Sequence, residues 1–248
     1  MKILQCKTML AILLAIAFTS CKKEVGPNTV TGNDDAIQSS AANQGKPVPS
    51  YTRIKTKMIG STVYSYSYNG SGDVTKEKYG NDSVVFTYPD NTHITEVASA
   101  NADYNYVLNS KGLVVTTNAS YGTITTSYYN AKKQLIETIA QDNGIVSDSK
   151  YTYVNGNLDK LEFYYNGVLS TTYKYTYYLD KANVLNNDVF GKPWLGVGSK
   201  NLLKSIEVTN AGVTGVIAYT YMFDPVGRVT AAHLTANGNP YQDIVYTY

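Results

Sequence analysis

From Tyr51 onward, aromatic and branched apolar residues alternate with polar ones, and no stretch shows the 3.6-residue apolar spacing of an amphipathic helix. In Tyr173–Tyr177 and Tyr219–Phe223 every second residue is aromatic, so the rings share one side of each predicted strand. We therefore predict strands and turns nearly throughout, with no helix longer than two turns. The aromatic face either packs as a core, its tyrosine hydroxyls reaching water or a carbonyl, or lines a carbohydrate-stacking surface.

A sequence unit recurs along this part of the chain: Tyr-x-Tyr, then Asn or Asp, then glycine, then a branched apolar residue. Because Asn and Asp cap turns and glycine accepts a positive φ, each unit predicts a strand, a tight turn and a returning strand. The pair Asn166-Gly167 predicts a further hairpin. The spacing indicates an all-β fold, an antiparallel meander of about 14–16 strands that forms a curved or barrel-like sheet. The clearest copies are Tyr66–Val74, Tyr104–Leu113, Tyr151–Leu158 and Tyr219–Val229.

One irregular segment, residues 180–201, interrupts the repeat and contains the only tryptophan, Trp194. Irregular segments of this length tend to be functional or disordered. Trp194 either closes one end of the sheet as a hydrophobic cap or, together with nearby Phe190, contacts a ligand. Indole rings usually end up buried, which favours the cap.

The N-terminus has the order of a secretory signal: Lys2 and Lys7, an apolar run over Met9–Phe18, and small residues before Cys21. The run is about ten residues long, whereas a helix that crosses a bilayer needs roughly 20. We therefore predict that residues 1–20 are a signal peptide.

The residues that follow the signal favour a tethered domain. Residues 21–50 are rich in Ser, Asn, Gly and Pro and lack the large apolar groups of a core, so they predict a disordered polar tether. Residues 51–248 are predicted to form a single all-β domain. The segment Phe18-Thr-Ser-Cys21 resembles a lipobox, which implies that Cys21 carries the lipid after cleavage.

The charge balance argues against nucleic-acid binding. Loss of Lys2 and Lys7 with the signal lowers the number of basic residues from 21 to 19, which equals the number of acidic ones. Arg53 and Arg228 are the only arginines, and the lysines are scattered rather than clustered on one face. Since Cys6 leaves with the signal, Cys21 has no partner for an intramolecular disulfide.

The sequence offers few residues for metal or nucleophilic chemistry. His93 and His233 lie outside any metal-binding spacing, so we predict no metal site and no cofactor. A pair of carboxylates is sufficient for glycoside cleavage, which keeps a glycoside-processing enzyme open as an alternative. The candidate acids are Asp142, Asp148, Asp159, Glu162 and Asp224.

Two family resemblances bear on the fold. Tyr219–Thr230 resembles a tyrosine-aspartate (Rhs/YD) repeat, and the other copies are degenerate; Lys133, for example, stands where the glycine would follow Asn130. The chain as a whole resembles an uncharacterised Gram-negative lipoprotein family described as having a porin-like fold, through its lipobox, tether, tyrosine-rich meander and glycine-rich segment Gly191–Leu203. This second resemblance implies a curved or barrel-like sheet and brings no known activity.

These observations predict a non-catalytic binding or scaffold lipoprotein of the outer membrane, facing the periplasm or the medium and meeting a glycan or protein partner. The alternatives are the glycoside-processing enzyme and a purely structural envelope protein. Outward positions are largely Thr, Ser, Lys and Asn rather than a continuous apolar band, so we expect a domain that is water-soluble without its lipid and does not span the membrane as a barrel.

Overall fold

The alternating segments form an antiparallel β-barrel in the computed structural model, which describes residues 53–99 and 102–248. Sixteen strands follow one another around the barrel in sequence order, and the last pairs with the first to close it. The predicted all-β meander and its strand number are confirmed. The predicted signal peptide, the lipid on Cys21 and the tether lie outside the described residues.

The strands lengthen along the chain: β1 to β8 have four to seven residues, and β9 to β16 have eight to fifteen. Within the described ranges, no helix is long and apolar enough to cross a bilayer. The strands are β1 (Thr56–Ile59), β2 (Thr62–Tyr68), β3 (Val74–Tyr79), β4 (Asp82–Thr87), β5 (His93–Ala98), β6 (Tyr104–Leu108), β7 (Val114–Ala119), β8 (Ile124–Tyr129), β9 (Leu135–Asp142), β10 (Ile145–Val154), β11 (Asn157–Tyr165), β12 (Val168–Ala182), β13 (Asn201–Asn210), β14 (Val213–Phe223), β15 (Val229–Ala236) and β16 (Asn239–Thr247).

The two ends of the barrel carry different connections, because successive antiparallel strands run in opposite directions. The turns that leave β1, β3, β9, β11, β13 and β15 have two residues each, and we call this end the short-turn end. The opposite end, which we call the plug end, carries the repeat turns and the one long connection, between β12 and β13.

In the repeat turns at the plug end, the side-chain oxygen of an Asn or Asp accepts backbone N–H groups that follow it. In the turn from Asn130 to Gln134, the Asn130 side-chain oxygen accepts the N–H groups of Lys132 and Gln134. Lys133 adopts φ 61°, the left-handed conformation that glycine takes in the other copies. The sequence therefore departs from the repeat pattern here, as expected, but the backbone does not.

The irregular segment is shorter than its predicted bounds, because β12 continues to Ala182 and β13 begins at Asn201. We call residues 183–200 the plug; it contains one short 3₁₀ turn, Pro193–Leu195. Buried asparagines hold its backbone: Asn183 donates to the carbonyl of Ser199, and Asn187 donates to that of Gly196.

The aromatic face of the strands points into the barrel, where it packs with apolar residues and the plug. Tyrosine is suited to this position because its ring is apolar while its hydroxyl can bond to the backbone. Such hydroxyl-to-carbonyl bonds join Tyr68 to Ile54, Tyr88 to Val74, Tyr177 to Leu158, Tyr178 to Tyr219, Tyr221 to Leu203 and Tyr248 to Val229.

Candidate functional site in the barrel interior

The side chains that face inward become more exposed toward the short-turn end. A barrel of sixteen strands is too wide for its own side chains to fill completely. Along β6, inward-facing Leu108 is buried near the plug, whereas inward-facing Tyr104 is partly exposed near the short turns. Along β14, Tyr219 is buried and Val213 is exposed in the same order. This gradient of exposure indicates an interior that is closed at the plug end and open at the short-turn end.

The plug closes the lower end by backbone hydrogen bonds to opposite parts of the wall. Strands β1 and β3 lie on one side of the barrel, and the turns that follow β8 and β10 lie about half-way round. The plug is therefore attached to two sides of the barrel and spans the opening between them. The four bonds run from the Ile54 amide to the Val189 carbonyl (3.2 Å), from Val74 to Gly191 (3.0 Å), from Val197 to Lys133 (2.8 Å) and from Lys200 to Gly156 (3.0 Å).

The two predicted ligand-binding residues are buried within the plug. Trp194 is 2% exposed, and its ring centroid lies 6.2 Å from that of Phe86 and 5.6 Å from that of Tyr88. Phe190 is 8% exposed and meets the Tyr66 ring edge-on at 5.6 Å. These contacts are those of a hydrophobic cap. A direct ligand contact by Trp194 or Phe190 stays a prediction.

Four charged side chains gather above the plug, and we call them the interior charge cluster: Lys57 of β1, Glu77 of β3, Glu96 of β5 and Lys192 of the plug. Glu77 faces inward because it pairs across strands with Tyr66 and Val84, both packed in the interior. The ammonium of Lys192 lies 2.7 Å from a carboxylate oxygen of Glu77. The same ammonium lies 4.8 Å from the centroid of the Phe86 ring.

Glu96 extends the cluster toward β6. Its cross-strand partner is Phe86, and the hydroxyl of Tyr106 donates a short hydrogen bond of 2.5 Å to its carboxylate. Burial raises the pKa of Glu96 above its usual range, although the Tyr106 hydrogen bond and the charge of Lys192 act in the opposite direction. The neutral form of this carboxyl group is therefore more favoured than that of a surface glutamate.

Lys57 completes the cluster among aromatic rings. Its ammonium lies 4.6 Å from the centroid of the Tyr64 ring and 5.8 Å from that of Phe190, within the range of cation–π attraction. Burial lowers the pKa of Lys57 to about 8, an effect that Glu77 opposes and Lys192 reinforces.

Beyond β6, the wall that continues from the cluster carries small hydroxyl side chains on β7 to β10. They face inward because they occupy cross-strand positions linked to half-buried Tyr151, whose side chain hydrogen-bonds to two of them. Their small size leaves space in the interior, and each hydroxyl can donate and accept. These residues are Thr117, Thr125, Ser127, Thr138 and Ser149, all of them half-buried.

The acids proposed from the sequence lie elsewhere and do not form one site. Asp148 and Glu162 point outward, where each pairs with a lysine, Lys150 at 3.4 Å and Lys160 at 3.0 Å. Asp142 ends β9 at the short-turn end, Asp159 is exposed at a bulge of β11, and Asp224 caps the turn after β14. His93 and His233 pair with Asp90 and Asp243 on the outer surface.

The interior charge cluster was not predicted, although the sequence contained a signal for it. Glu77 stands two residues before inward-facing Tyr79, and Glu96 stands two residues after buried Ile94. A charged residue on the aromatic side of a predicted strand is unusual, because burial of a charge costs free energy unless it is paired. Lys192 had no comparable signal, since apolar and polar residues do not alternate regularly along the plug.

The geometry can be compared with solved structures. The sequence matches no protein-family model and no curated protein. A porin-like protein from Bacteroides uniformis superposes with a TM-score of 0.63 at 19% sequence identity, over 81% of this chain and 98% of that one. The chain has a porin-like fold. A porin-like protein from Bacteroides vulgatus is similar as well, with a TM-score of 0.60 at 15% identity, over 79% of this chain and 98% of the other.

Proposed function

We propose that this protein is a lipid-anchored outer-membrane lipoprotein whose barrel binds a glycan in its interior without catalysis. The observation that carries the proposal is the interior charge cluster, which lies beside aromatic rings in an interior whose side chains become more exposed toward the short-turn end. Binding sites for small molecules combine such an apolar lining with a few convergent polar groups.

The composition of the site favours a neutral polyhydroxy ligand. The cluster contains two lysines and two glutamates, so a strongly anionic ligand meets the carboxylates and a cationic one meets the ammonium groups. A sugar hydroxyl can donate to Glu77 and accept from Lys192 at the same time, because it is both donor and acceptor. The carbon–hydrogen faces of the sugar ring would pack against Tyr64 and its neighbour Tyr79, whose centroids are 5.7 Å apart.

The outer face of the barrel supports a protein that is held beside a membrane by a lipid. Transmembrane strands have about 9–11 residues and an outward apolar band. Strands β1 to β8 are shorter, and ion pairs such as Lys150–Asp148 and Lys174–Glu207 lie on the outer face. The lipid proposed on Cys21 would then supply the membrane attachment.

The contacts of the cluster carboxylates support binding rather than turnover. Glu77 is ion-paired with Lys192, and Glu96 accepts the hydroxyl of Tyr106. Both groups are held in place by these partners, which suits the positioning of a ligand.

A binding experiment tests this proposal. The Cys21→Ala chain, purified without lipid, is titrated with neutral mono-, oligo- and polysaccharides while the fluorescence of Trp194, the only tryptophan, is recorded. We expect saturable binding that Glu77→Gln and Glu96→Gln each weaken about tenfold or more, which is about 1.4 kcal/mol. The matched control, Glu207→Gln on the outer face, should leave the affinity unchanged.

Three outcomes contradict the proposal, and the first is the absence of saturable binding to every saccharide. Saturable binding that neither interior substitution weakens would put the ligand outside the cluster. Release of reducing sugar during the titration, abolished by either interior substitution, would favour the glycoside-processing enzyme instead.

A further inference from the structure

The barrel interior has an entrance at one end only. The plug bonds to the wall beside β1 and β3 on one side and to the turns after β8 and β10 on the other, so it crosses the full width of the plug end. The short-turn end has no comparable segment, since its described connections are short hairpin turns. A ligand that reaches the interior therefore enters through the short-turn end and leaves the same way.

The plug fits the wall too closely for a polymer to pass beside it. A Cβ atom on Gly191 would lie 2.6 Å from the backbone nitrogen of Val74, and one on Gly196 would lie 2.6 Å from the carbonyl oxygen of Lys133. Backbone therefore meets backbone on both sides of the barrel, at distances that no sugar ring can share. Trp194 fills the space between them against Phe86 and Tyr88.

The interior charge cluster lies between the plug, which forms the floor of the interior, and the short-turn end. Lys192 belongs to the plug itself, whereas Glu77 is three residues from Val74, whose amide bonds to the plug, and two residues from Tyr79, where β3 ends. At about 3.3 Å per residue along a strand, Glu77 is roughly 10 Å from the floor and roughly 7 Å from the short-turn end of β3. Because the floor is closed, a chain that enters past this end reaches the cluster with its leading end unless it bends back.

A polymer that folds back on itself is also disfavoured. The side of the interior formed by β13 to β16 is filled by a buried apolar cluster that includes Ile206, Ile217, Leu234 and Ile244. The side chains that face inward from β7 to β10 are smaller, so a ligand at the interior charge cluster would lie on that side of the interior. Both arms of a bent saccharide chain would have to share this one side.

Resting on the proposed function, we infer that the interior site recognises the free end of a saccharide chain, or a short oligosaccharide that presents the same end, and does not bind internal segments of a polysaccharide. The ligand class is thus defined by its terminus. Affinity should follow the concentration of chain ends rather than the mass of polymer.

Partial hydrolysis tests the inference directly. Amylose, mannan, xylan and arabinan are each titrated into the unlipidated Cys21→Ala chain intact and after partial acid hydrolysis that raises the number of chain ends about tenfold at constant mass. We expect the dissociation constant, expressed as mass of saccharide, to fall about tenfold on hydrolysis for a polysaccharide that binds, and Glu77→Gln to weaken binding of the hydrolysate. Glu207→Gln serves as the control.

The possible failures can be told apart. Equal or tighter binding of the intact polymer by mass overturns recognition of the end while the proposed glycan-binding function stands. Absence of saturable binding to every intact and hydrolysed probe overturns both proposals. Tighter binding of the hydrolysate that Glu77→Gln leaves unchanged also overturns the inference, because the recognised end then lies away from the interior charge cluster.

Discussion

The inward-facing charged residues show how a β-barrel can hold ions among aromatic rings. Lys57 is half-buried, and its ammonium lies against the Tyr64 and Phe190 rings and within the field of Glu77. The rings and the carboxylate offset part of the cost of removing the charge from water. Part of that cost remains, and it appears as the lowered pKa of Lys57.

This lowered pKa predicts a pH dependence of stability. The folded pKa of Lys57 is about 8 and the ordinary value is 10.5, so between these values the unfolded chain binds a proton that the folded chain has released. The contribution of Lys57 to the free energy of unfolding therefore rises with pH between about 8 and 10.5. We expect the free energy of unfolding of the wild type, relative to Lys57→Met, to increase between about pH 8 and about pH 10.

Urea unfolding of both proteins across this range measures the effect. The tyrosines whose pKa is raised by burial, such as Tyr66 and Tyr88, oppose the trend near pH 10, but they are present in both proteins and cancel in the difference. Lys174→Met, a change on the outer face, is the matched control. A difference between wild type and Lys57→Met that stays flat or decreases would refute the prediction.

At the level of single residues, local patterns could be predicted from the sequence and the cluster could not. The turn at Asn130 follows from its side chain, which bonds to amides within four residues, and even Lys133 takes the left-handed conformation there. Glu77 and Glu96 become part of one site only when β3, β5 and the plug are brought together in the folded barrel. The single indication of the site in the sequence was that both glutamates stand on the aromatic side of their strands.

Among the elements of the fold, the hairpins and the plug differ in what determines them. Each hairpin is fixed by neighbouring residues, so the repeat of Asn or Asp with glycine predicted the strands well. The plug is fixed by bonds to residues far away in sequence, for example from the Val197 amide to the Lys133 carbonyl. An irregular segment and a buried tryptophan could therefore be predicted from the sequence, whereas the distant wall positions to which the segment bonds could not.

The close fit of the plug predicts an unequal cost for two glycine substitutions. Gly191→Ala combines a positive φ of 68° with a contact of 2.6 Å to the Val74 backbone nitrogen. We expect a loss of about 2–4 kcal/mol in the free energy of unfolding, the sum of backbone strain and overpacking. Gly212→Ala, at a φ of 78° in a short turn with open space, should lose only about 1 kcal/mol. Chemical denaturation of both variants provides the test, and equal losses would show that the plug yields easily.

For the molecule as a whole, strand number could be predicted but closure could not. The number of strands follows from local repeats, whereas closure depends on the pairing of β1 with β16, in which Lys57 lies opposite Tyr246. No local pattern encodes a pairing across the whole chain. The interior site depends on the same closure, because it joins side chains from β1, β3, β5 and the plug.

Membrane attachment is the prediction that concerns the whole protein. We expect Cys21→Ala to move the protein from the membrane fraction to the soluble fraction, because two acyl chains are needed for stable anchoring and this residue is their proposed site. Cell fractionation with fatty-acid labelling measures it, and Cys6→Ala within the signal is the matched control. A Cys21→Ala protein that is still labelled and still sediments with membranes would exclude lipidation at this residue.

Closure of the barrel also determines how late during synthesis the free edge of β1 can pair. The hydroxyls of Thr56 and Thr247, which are 191 residues apart in the chain, meet at 2.8 Å where β1 pairs with β16. The ribosome makes β16 last of the sixteen strands, so β1 keeps an unpaired edge throughout the synthesis of the others. Exposed edges invite association with other chains. A protein that is exported before it folds avoids that interval in the crowded cytosol, because all of its strands reach the far side of the membrane before the seam has to form.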